Sequence, residues 1–394
     1  MNPELERISG QLAWRLSSDV VELAVTQDGG HMAPVVFHRR SARAVQPYYI
    51  SPWQEENIEP EEPVLRMLRG DFFCCPFGGG SRGRREHHAV HGEPAYARWR
   101  AVAMMTNSRG AAMTLELETH VRPGRIRKHI VLRQGENVVY TQHDLEGYRG
   151  AMPLGHHATL APPSVGRLRI STSPIRFGET SPRRAGVYGA QEYYALAPGR
   201  RFAKLRRVPT VWKHAPWTDL SEFPAREGFV DIAAVVSRVR PGKPAWTCAV
   251  APEAGYCWYA FRDPTVLPAT VMWMENRGRH AAPWNGRNVC IGLEDVCSYF
   301  AQGLEASVAS NPWNAQGIPT AMRLSPRRRT RIKYVQGVIQ VPRGFESVAD
   351  IRFEPGMAIF ISEKGQEISA PVVHEYVHHP EWDITHLLNE QRSL

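Results

Sequence analysis

The sequence predicts an all-β protein, a large antiparallel β-sandwich with few short helices. Apolar and polar residues alternate in short stretches, for example at 20–25, 113–121 and 331–341, and Gly, Pro, Asn or Ser bounds each stretch. Alternation with a period of two residues is typical of a strand with one buried face. The 32 glycines and 31 prolines lie between the apolar runs, as expected for a chain with many turns.

Two hairpins are predicted where strand-like stretches flank a short segment that contains glycine. Residues 125–132 and 138–144 form the first, and residues 245–250 and 256–261 form the second. A glycine supplies the backbone conformation that a tight turn between antiparallel strands requires. Such local pairs fit the antiparallel sheets of a sandwich.

Helical periodicity is scarce in the chain. The best short candidates are residues 4–14 and residues 295–305, the second of which begins at an acidic residue. The sequence shows no repeat of fixed period and no long linker, so one domain over residues 1–394 is the simplest partition. A break within residues 161–185, which are rich in Pro, Ser and Arg, is the alternative.

The net charge of +9 comes largely from arginines in local groups, at 82–85, 206–207 and 327–329. Most of these groups lie beside Pro, Gly or Ser, so we interpret them as solvated turns and expect no nucleic acid as a partner. The N-terminal residues 1–10 are polar, and no apolar run reaches the ~18 residues of a membrane helix. We therefore expect no membrane association and a cytoplasmic location.

The composition is that of a globular protein, with 394 residues of which 43% are hydrophobic and 22% charged. The six cysteines lie in apolar or aromatic surroundings and show no spacing that would pair them with histidines around a metal. We interpret them as buried, reduced thiols rather than metal ligands or disulfide partners.

The first segment with candidate chemistry joins an apolar run to a glycine-rich loop. Residues 71–77 lead into three glycines at 78–80, and His91 follows at the next apolar stretch. Glycines let the backbone pass close to a ligand, which suits a binding loop. The alternative is a structural turn with a surface histidine.

Two other segments place ionisable residues in apolar strands. His156 and His157 are consecutive, so they must point to opposite faces of a strand, and at most one can enter a given pocket. A hydrogen-bonded core histidine is the alternative.

Glu294 ends the apolar run at 288–293, where a buried carboxylate is costly unless donors or a cation meet it. The alternative is that Asp295 caps a short helix and Glu294 pairs with an arginine.

In order and spacing, these segments resemble the hexose-6-phosphate 1-epimerase branch of the galactose mutarotase-like (aldose 1-epimerase) superfamily. Arg69-Gly70, Cys75-Pro76-Phe77-Gly78 and His91-Gly92-Glu93 look like the Arg-Gly-Gly, Cys-Trp-Pro-Trp-Phe-Gly and His-Gly-Phe series of that branch. Residues 155–160 are similar to the segment that supplies the catalytic histidine of the family, and residues 292–294 to the segment that supplies its catalytic glutamate. The likeness spans nearly the whole chain.

The sequence also departs from the family pattern. Asp71 replaces the second glycine of the Arg-Gly-Gly series, and Ala158-Thr159 replaces a Pro-Tyr pair. These departures bear on the identity of the sugar and on its phosphate more than on the fold, because a sandwich can be kept while its site changes.

The resemblance implies a carbohydrate isomerase that interconverts the anomers of an aldose or aldose phosphate without a cofactor. His157 would be the acid for the ring oxygen, and Glu294 the base for the anomeric hydroxyl. Five further side chains would contact the substrate: Arg69, His91, Phe77, Trp273 and Trp284. A non-catalytic carbohydrate-binding sandwich, or a lyase or hydrolase on the same fold, is the alternative. The expected partner is thus a small-molecule sugar or sugar phosphate, and the sequence leaves a homodimer open.

Overall fold

The computed structural model describes residues 4–56, 58–82, 86–182 and 191–389. β-strands dominate these residues, and the helices are few and short, as predicted. The first fifteen strands are β1 (Glu6–Ile8), β2 (Gln11–Ser17), β3 (Val21–Thr26), β4 (Met32–Phe37), β5 (Asp71–Cys74), β6 (Ser81–Arg82), β7 (His87–His88), β8 (Arg100–Asn107), β9 (Gly110–Thr119), β10 (Gly124–Arg133), β11 (Val138–Glu146), β12 (Gly150–Met152), β13 (Leu154–Leu160), β14 (Leu168–Thr172) and β15 (Ile175–Thr180).

The second half of the chain continues the same pattern. Its strands are β16 (Arg201–Phe202), β17 (Val208–Pro209), β18 (Trp217–Thr218), β19 (Glu222–Phe223), β20 (Phe229–Ser237), β21 (Ala245–Ala251), β22 (Tyr256–Arg262), β23 (Ala269–Asn276), β24 (Val289–Cys297), β25 (Met322–Leu324), β26 (Thr330–Gln340), β27 (Val348–Glu354), β28 (Met357–Ser362) and β29 (Glu367–Pro371). The α-helices are α1 (Gly303–Val308) and α2 (His386–Asn389), and short 3-10 helices span Pro63–Met67, Glu93–Ala95, Asn314–Gln316 and His374–Val377.

Most strands belong to two large antiparallel sheets. The larger sheet has eleven strands in the order β1-β2-β3-β4-β5-β13-β24-β23-β20-β15-β16, and the smaller has nine in the order β19-β14-β21-β22-β26-β11-β10-β9-β8. One continuous apolar cluster joins side chains of both sheets, which confirms the predicted pair of packed antiparallel sheets. A three-stranded sheet of β27, β28 and β29 packs on the outer face of the smaller sheet, where Phe353 and Phe360 contact Phe261.

Alternation along the central strands fills an apolar layer on each side of a sheet. In β22, Trp258 faces the layer between the two large sheets, whereas Phe261 packs against the small outer sheet. In β23, Met272 faces the layer between the large sheets, whereas Val271 and Trp273 lie on the opposite face. The outer face of the larger sheet therefore carries apolar side chains of its own, and these form the surroundings of the candidate site.

Both predicted hairpins form: β10 pairs with β11, and β21 pairs with β22, in antiparallel register. The prediction of a helix at residues 4–14 is wrong, because this stretch forms β1 and the first half of β2. The prediction at residues 295–305 is wrong over most of its length, since β24 runs to Cys297 and α1 begins only at Gly303. In a sheet, hydrogen bonds to neighbouring strands satisfy the backbone groups of these residues, whereas a short isolated helix is only marginally stable.

The stretch at residues 161–182, where the sequence leaves a domain break open, connects the two large sheets. It contains β14 of the smaller sheet and β15 of the larger sheet. Residues 183–185 lie outside the described residues. A single domain over residues 1–394 remains our proposal.

The six cysteines are buried, as predicted, and all are free. Within the described ranges, no cluster of three or more His, Cys, Asp or Glu side chains is arranged to hold a metal ion. Among the same residues, we find no helix with the length and apolar character needed to cross a membrane.

A charged pair is buried in the layer between the two large sheets. Nη1 of Arg262 lies 2.7 Å from Oδ1 of Asp295, and both side chains are fully buried. The same carboxylate accepts hydrogen bonds from Thr270 at 2.6 Å and from Tyr334 at 2.8 Å. Buried charges are tolerated when a partner charge and further hydrogen bonds replace water. Asp295 is therefore a strand residue with a structural role, and the helix-cap alternative for it is wrong.

Replacing Arg262 should destabilise the protein strongly. Arg262→Met should lower the free energy of unfolding by about 3–5 kcal/mol, because it leaves the Asp295 carboxylate buried without its cation. Urea unfolding monitored by tryptophan fluorescence would measure the change. The matched control is Arg206→Met, which removes an exposed pair with Glu363 at 2.6 Å and should cost less than about 1 kcal/mol. Equal losses in the two variants would contradict the role given to the buried pair.

Candidate active site

A cavity of about 610 Å³ opens on the outer face of the larger sheet. Its floor is formed by side chains of β13, β20, β23 and β24, and its walls by loops at 61–68, 78–79, 90–91 and 279–284. Concave sites of this size, with apolar walls and a few converging polar groups, are typical of small-ligand sites. Among the polar side chains that line it are His91, His157, Glu192, Arg279 and Glu294.

His157 and Glu294 meet in the floor of this cavity. Nε2 of His157 lies 3.2 Å from Oε1 of Glu294, and the two side chains are 5% and 2% exposed. The residues belong to adjacent strands, β13 and β24, in which Ala158 pairs with Leu293. That register sets His157 and Glu294 side by side on the same face of the sheet. Two ionisable groups far apart in sequence are thus in direct contact.

Burial moves the pKa values of this pair in opposite directions. Desolvation lowers the pKa of His157 well below its ordinary value, and the nearby His91 contributes in the same direction. Desolvation raises the pKa of Glu294 well above its ordinary value, against the opposing effect of the Arg279 charge. Each shift favours the neutral form of its group, which corresponds to one proton on the pair, carried by the carboxyl group.

The imidazole of His157 is held on three sides. Its Nδ1 is hydrogen-bonded to Oγ1 of Thr159 at 3.0 Å. Its ring stacks on Phe72 with a centroid distance of 4.4 Å and meets the ring of His91 edge-on at 4.8 Å. A hydroxyl can donate or accept, so Thr159 can partner Nδ1 in either tautomer. The orientation of the ring is therefore fixed while its protonation state can change.

His91 lies beside this pair and lines the cavity. Its backbone has a φ of 64°, and its Nδ1 accepts a hydrogen bond from the Gly78 N–H at 3.3 Å. Burial, with a contribution from Arg279, lowers the pKa of His91 to about 3, so its imidazole is neutral. The glycine-rich loop predicted from the sequence therefore lies at the cavity, together with His91. At Gly78 a Cβ would approach the carbonyl carbon of Ala301 to 2.8 Å, which shows how closely the backbone passes there.

Gly292 has no side chain, and this leaves space for the Glu294 carboxylate. The two residues lie on the same face of β24, two positions apart, and a Cβ built on Gly292 would collide with Oε1 of Glu294. The carboxylate therefore folds back over the glycine toward His157. β24 continues to Cys297, so the expectation that Glu294 ends its strand is wrong. Its neighbour in sequence points to the opposite face, as the alternation of a strand requires.

The consecutive histidines also divide between the two faces. Nδ1 of His156 lies 2.9 Å from Oδ2 of Asp71, and its ring stacks on Tyr334 at 4.2 Å in the layer between the sheets. His157 faces the cavity instead. The expectation that at most one histidine can enter the pocket agrees with these positions, and His157 is the one that does.

Arg279 provides the guanidinium in the cavity. Its Nε donates to Oε1 of Glu192 at 2.8 Å, and its Nη1 lies 3.7 Å from Oε2 of Glu275. Its carbon Cζ lies 5.3 Å from the ring centroid of Trp273 and 4.8 Å from that of Trp284, within the range of cation–π contacts. Burial raises the pKa of Glu275 to about 7, opposed by the Arg279 charge.

Arg279, Glu192 and Glu275 are not predicted from the sequence. They lie in or beside loops, among many scattered charged residues. The only local signal is that Glu275 precedes Arg279 by four residues at the end of an apolar strand. Their meeting depends on β23 and on a loop that is far away in the chain.

The predicted substrate residues differ in their positions. Trp273 and Trp284 line the cavity, as His91 does. Phe77 is fully buried behind the wall and meets the ring of His91 edge-on at 5.2 Å. Arg69 is not among the lining residues: its guanidinium donates to the carbonyl of Ile8 at 3.2 Å and to that of Ser9 at 2.8 Å, and burial lowers its pKa to about 10.

No protein-family model matches the chain, and no curated protein matches it in sequence. Solved structures match in fold. The "putative mutarotase" of Salmonella typhimurium aligns over 86% of this chain and 94% of its own, with a TM-score of 0.56 and 9% identity. The "putative aldose 1-epimerase" of Escherichia coli K12 aligns over 84% and 99%, with a TM-score of 0.54 and 13% identity. The galactose mutarotase related enzyme of Lactobacillus acidophilus aligns over 84% and 98%, with a TM-score of 0.51 and 10% identity.

The chain therefore has the galactose mutarotase-like β-sandwich fold that its sequence predicts. The likeness is one of fold, and identities of 9 to 13% carry no more than that. The descriptions of these three proteins name mutarotases and an aldose 1-epimerase, and none names a hexose phosphate. The hexose-6-phosphate branch predicted from the sequence is not supported.

Proposed function

We propose that this protein is a carbohydrate isomerase that interconverts the anomers of an aldose by acid–base catalysis. The observation that carries the proposal is the contact of 3.2 Å between His157 and Glu294 in the floor of the cavity. A cavity alone would fit many ligands, and the fold alone hosts several functions. An imidazole and a carboxyl group in contact, both buried and both facing the ligand space, are the elements of a proton-transfer site.

The chemistry requires two coordinated proton transfers. One group takes the proton of the anomeric hydroxyl while another delivers a proton to the ring oxygen, and the bond between the anomeric carbon and the ring oxygen breaks to give the open-chain aldehyde. Rotation about the bond to the next carbon, then closure by the reverse transfers, yields the other anomer. The two oxygens are attached to the same carbon, so the two catalytic groups can lie side by side, as His157 and Glu294 do.

The proton count of the pair fits this cycle. Anomer exchange takes up one proton and delivers one, so the two groups together must hold a single proton at the start. Burial raises the pKa of Glu294 and lowers the pKa of His157, which widens the pH range in which the pair holds one proton. When this proton moves from the carboxyl group to the imidazole, His157 becomes the acid and Glu294 becomes the base. These are the roles that the resemblance implies. Thr159 is the positioning residue for the ring in both states.

The walls offer contacts suited to a sugar ring. Trp273 and Trp284 provide apolar faces, and Nε1 of Trp273 has no hydrogen-bond partner within the described part of the chain. A buried indole N–H needs an acceptor, and a sugar hydroxyl is one. His91, neutral and beside His157, can donate to or accept from a hydroxyl. In this proposal Arg279 takes the place in the pocket that the resemblance assigns to Arg69.

A purely carbohydrate-binding sandwich accounts for less of the site. It would use the tryptophan faces and the guanidinium in the same way. It gives no reason to bury a histidine and a glutamate in contact, since burial of ionisable groups costs free energy unless they are paired or have a chemical task.

Replacing the carboxyl group should abolish catalysed anomerisation. Glu294→Gln should lower kcat by about 10²–10⁴-fold, because an amide cannot exchange the proton, while the melting temperature stays near that of the wild type. Polarimetry on freshly dissolved α-glucose and α-galactose, with and without a 6-phosphate, would measure the rates. Glu363→Gln, at an exposed residue paired with Arg206, is the matched control and should keep the full rate. A Glu294→Gln variant with wild-type activity would rule out Glu294 as the base.

The pH profile should be broad. Because burial lowers the pKa of His157, the acid limb of kcat/KM should lie below the ordinary imidazole value of ~6.5. Because burial raises the pKa of Glu294, the alkaline limb should lie well above the ordinary carboxyl value of ~4.3. Activity is lost in acid when the pair gains a second proton, and lost in base when it gives up its one proton. An acid limb centred on ~6.5 would show a solvated histidine and contradict the assignment.

The space that Gly292 leaves for the Glu294 carboxylate can be tested by substitution. Gly292→Ala should displace the Glu294 carboxylate from His157 and lower kcat at least about tenfold, since small misplacements of catalytic groups are costly. Gly79→Ala is the matched control: this glycine also lines the cavity, and its added Cβ would meet only the Ala301 carbonyl oxygen, at 3.5 Å. Polarimetry and thermal melting of both variants separate a local displacement from loss of the fold. Unchanged activity in Gly292→Ala would show that the position of the carboxylate is not critical.

A further inference from the structure

The edge strand β8 is unusually exposed. It is the outermost strand of the smaller sheet and pairs with β9 along one side. Six of its eight residues are exposed, and the large apolar side chains of Val102 and Met105 are 39% and 48% accessible. The free side of such a strand presents a row of backbone N–H and C=O groups that can pair with another strand.

Within the described residues, the other edges of the two large sheets and of the small outer sheet are protected. Strands β16 and β19 have two residues each, and β1 has three, of which Glu6 and Arg7 are charged. In the small outer sheet, β27 carries three charged residues, and β29 begins at Glu367 and ends at Pro371. Short, charged or proline-containing edges resist pairing with other strands. By contrast, β8 has eight residues and no charge from Ala101 to Asn107.

We propose that β8 is a dimerisation strand that pairs antiparallel with β8 of a second copy of this chain. A two-fold axis places the same strand opposite itself, so one contact satisfies the free backbone groups of both copies. Because the remaining edges are protected, assembly stops at two chains instead of growing into a fibre. The stretch free of charge makes self-pairing compatible, since a charged residue near the axis would face its own like charge.

The register follows from the shape of the strand. A bulge at Val102 interrupts its pairing with β9, so the regular part runs from Ala103 to Asn107. An axis through Met105 sets Ala103 opposite Asn107, and Met104 opposite Thr106, which keeps side chains of the same face together.

The arginines that flank the strand are already engaged. Arg100, at the start of β8, lies 2.6 Å from Glu116 of the neighbouring strand. Arg109, just after its end, donates to the carbonyl oxygens of Leu388 and Asn389, at 3.0 Å each. Both guanidinium groups are drawn back toward their own chain, which leaves the free edge of β8 clear for a partner strand.

Sedimentation equilibrium of the full chain tests the proposal. The wild type should be a dimer. The double substitution Val102→Lys with Met105→Lys should give a monomer, because the change at 105 sets two lysines opposite one another on the axis and the change at 102 adds a second cation to the same strand. Both positions are exposed, so the substitutions should not disturb the fold. The melting temperature of the monomer should be lower than that of the wild type only by the contribution of the lost dimer contacts. The matched control is Val165→Lys with Val239→Lys, at residues 65% and 52% exposed outside this strand, and it should remain a dimer. A monomeric wild type, or a dimeric Val102→Lys, Met105→Lys variant, would overturn the proposal.

Cross-linking tests the register. Across a two-fold axis through residue 105, the two Cα atoms would lie about 4.5–5.5 Å apart, a separation that a disulfide can bridge. Met105→Cys should therefore form a covalent dimer under mild oxidation, whereas Val165→Cys, on a distant loop, should not. All six native cysteines are buried, so they do not compete. Equal cross-linking in the two variants would mean random collision and would refute pairing through β8.

Discussion

The pairing register between β13 and β24 is the constraint on which the site depends. Ala158 lies opposite Leu293, so the residues next to them, His157 and Glu294, emerge side by side on the outer face. A shift of one residue in either strand would exchange the faces: His156 would enter the cavity, or Asp295 would replace the glutamate. The register is strongly specified, because one face must match the layer between the sheets and the other must match the cavity.

That constraint is enforced by polar groups on both sides of the larger sheet. On the inner face, Asp71 holds His156, and Arg262 holds Asp295, each at hydrogen-bonding distance. These partners would be lost if either strand slipped, and an unpartnered buried charge costs several kcal/mol. The structural pairs therefore do more than stabilise the fold. They fix which member of each consecutive pair of ionisable residues is left for the other face.

On the outer face, the same low polarity acts on the chemistry. His157 and Glu294 lie in the floor of the cavity beside tryptophan and phenylalanine rings, and desolvation favours the neutral forms of both. In the proposed reaction, the pair starts with one proton and ends with one, so the site needs no external acid or base. Arg279, matched by Glu192 and Glu275, adds a cation whose charge is largely compensated within the wall.

The sequence by itself determined the all-β class, the two hairpins, the burial of the cysteines and the short segments that contain His157, Glu294 and His91, because alternation, turn residues and motif order are local properties. The predictions of two short helices were wrong because strand pairing with distant residues outweighs weak local periodicity. Only the tertiary structure decided which histidine faces the cavity, that Asp295 is a buried ion-pair partner, and that Arg279 rather than Arg69 lines the site. Those facts follow from the register and from contacts between residues far apart in the chain, which no local pattern encodes.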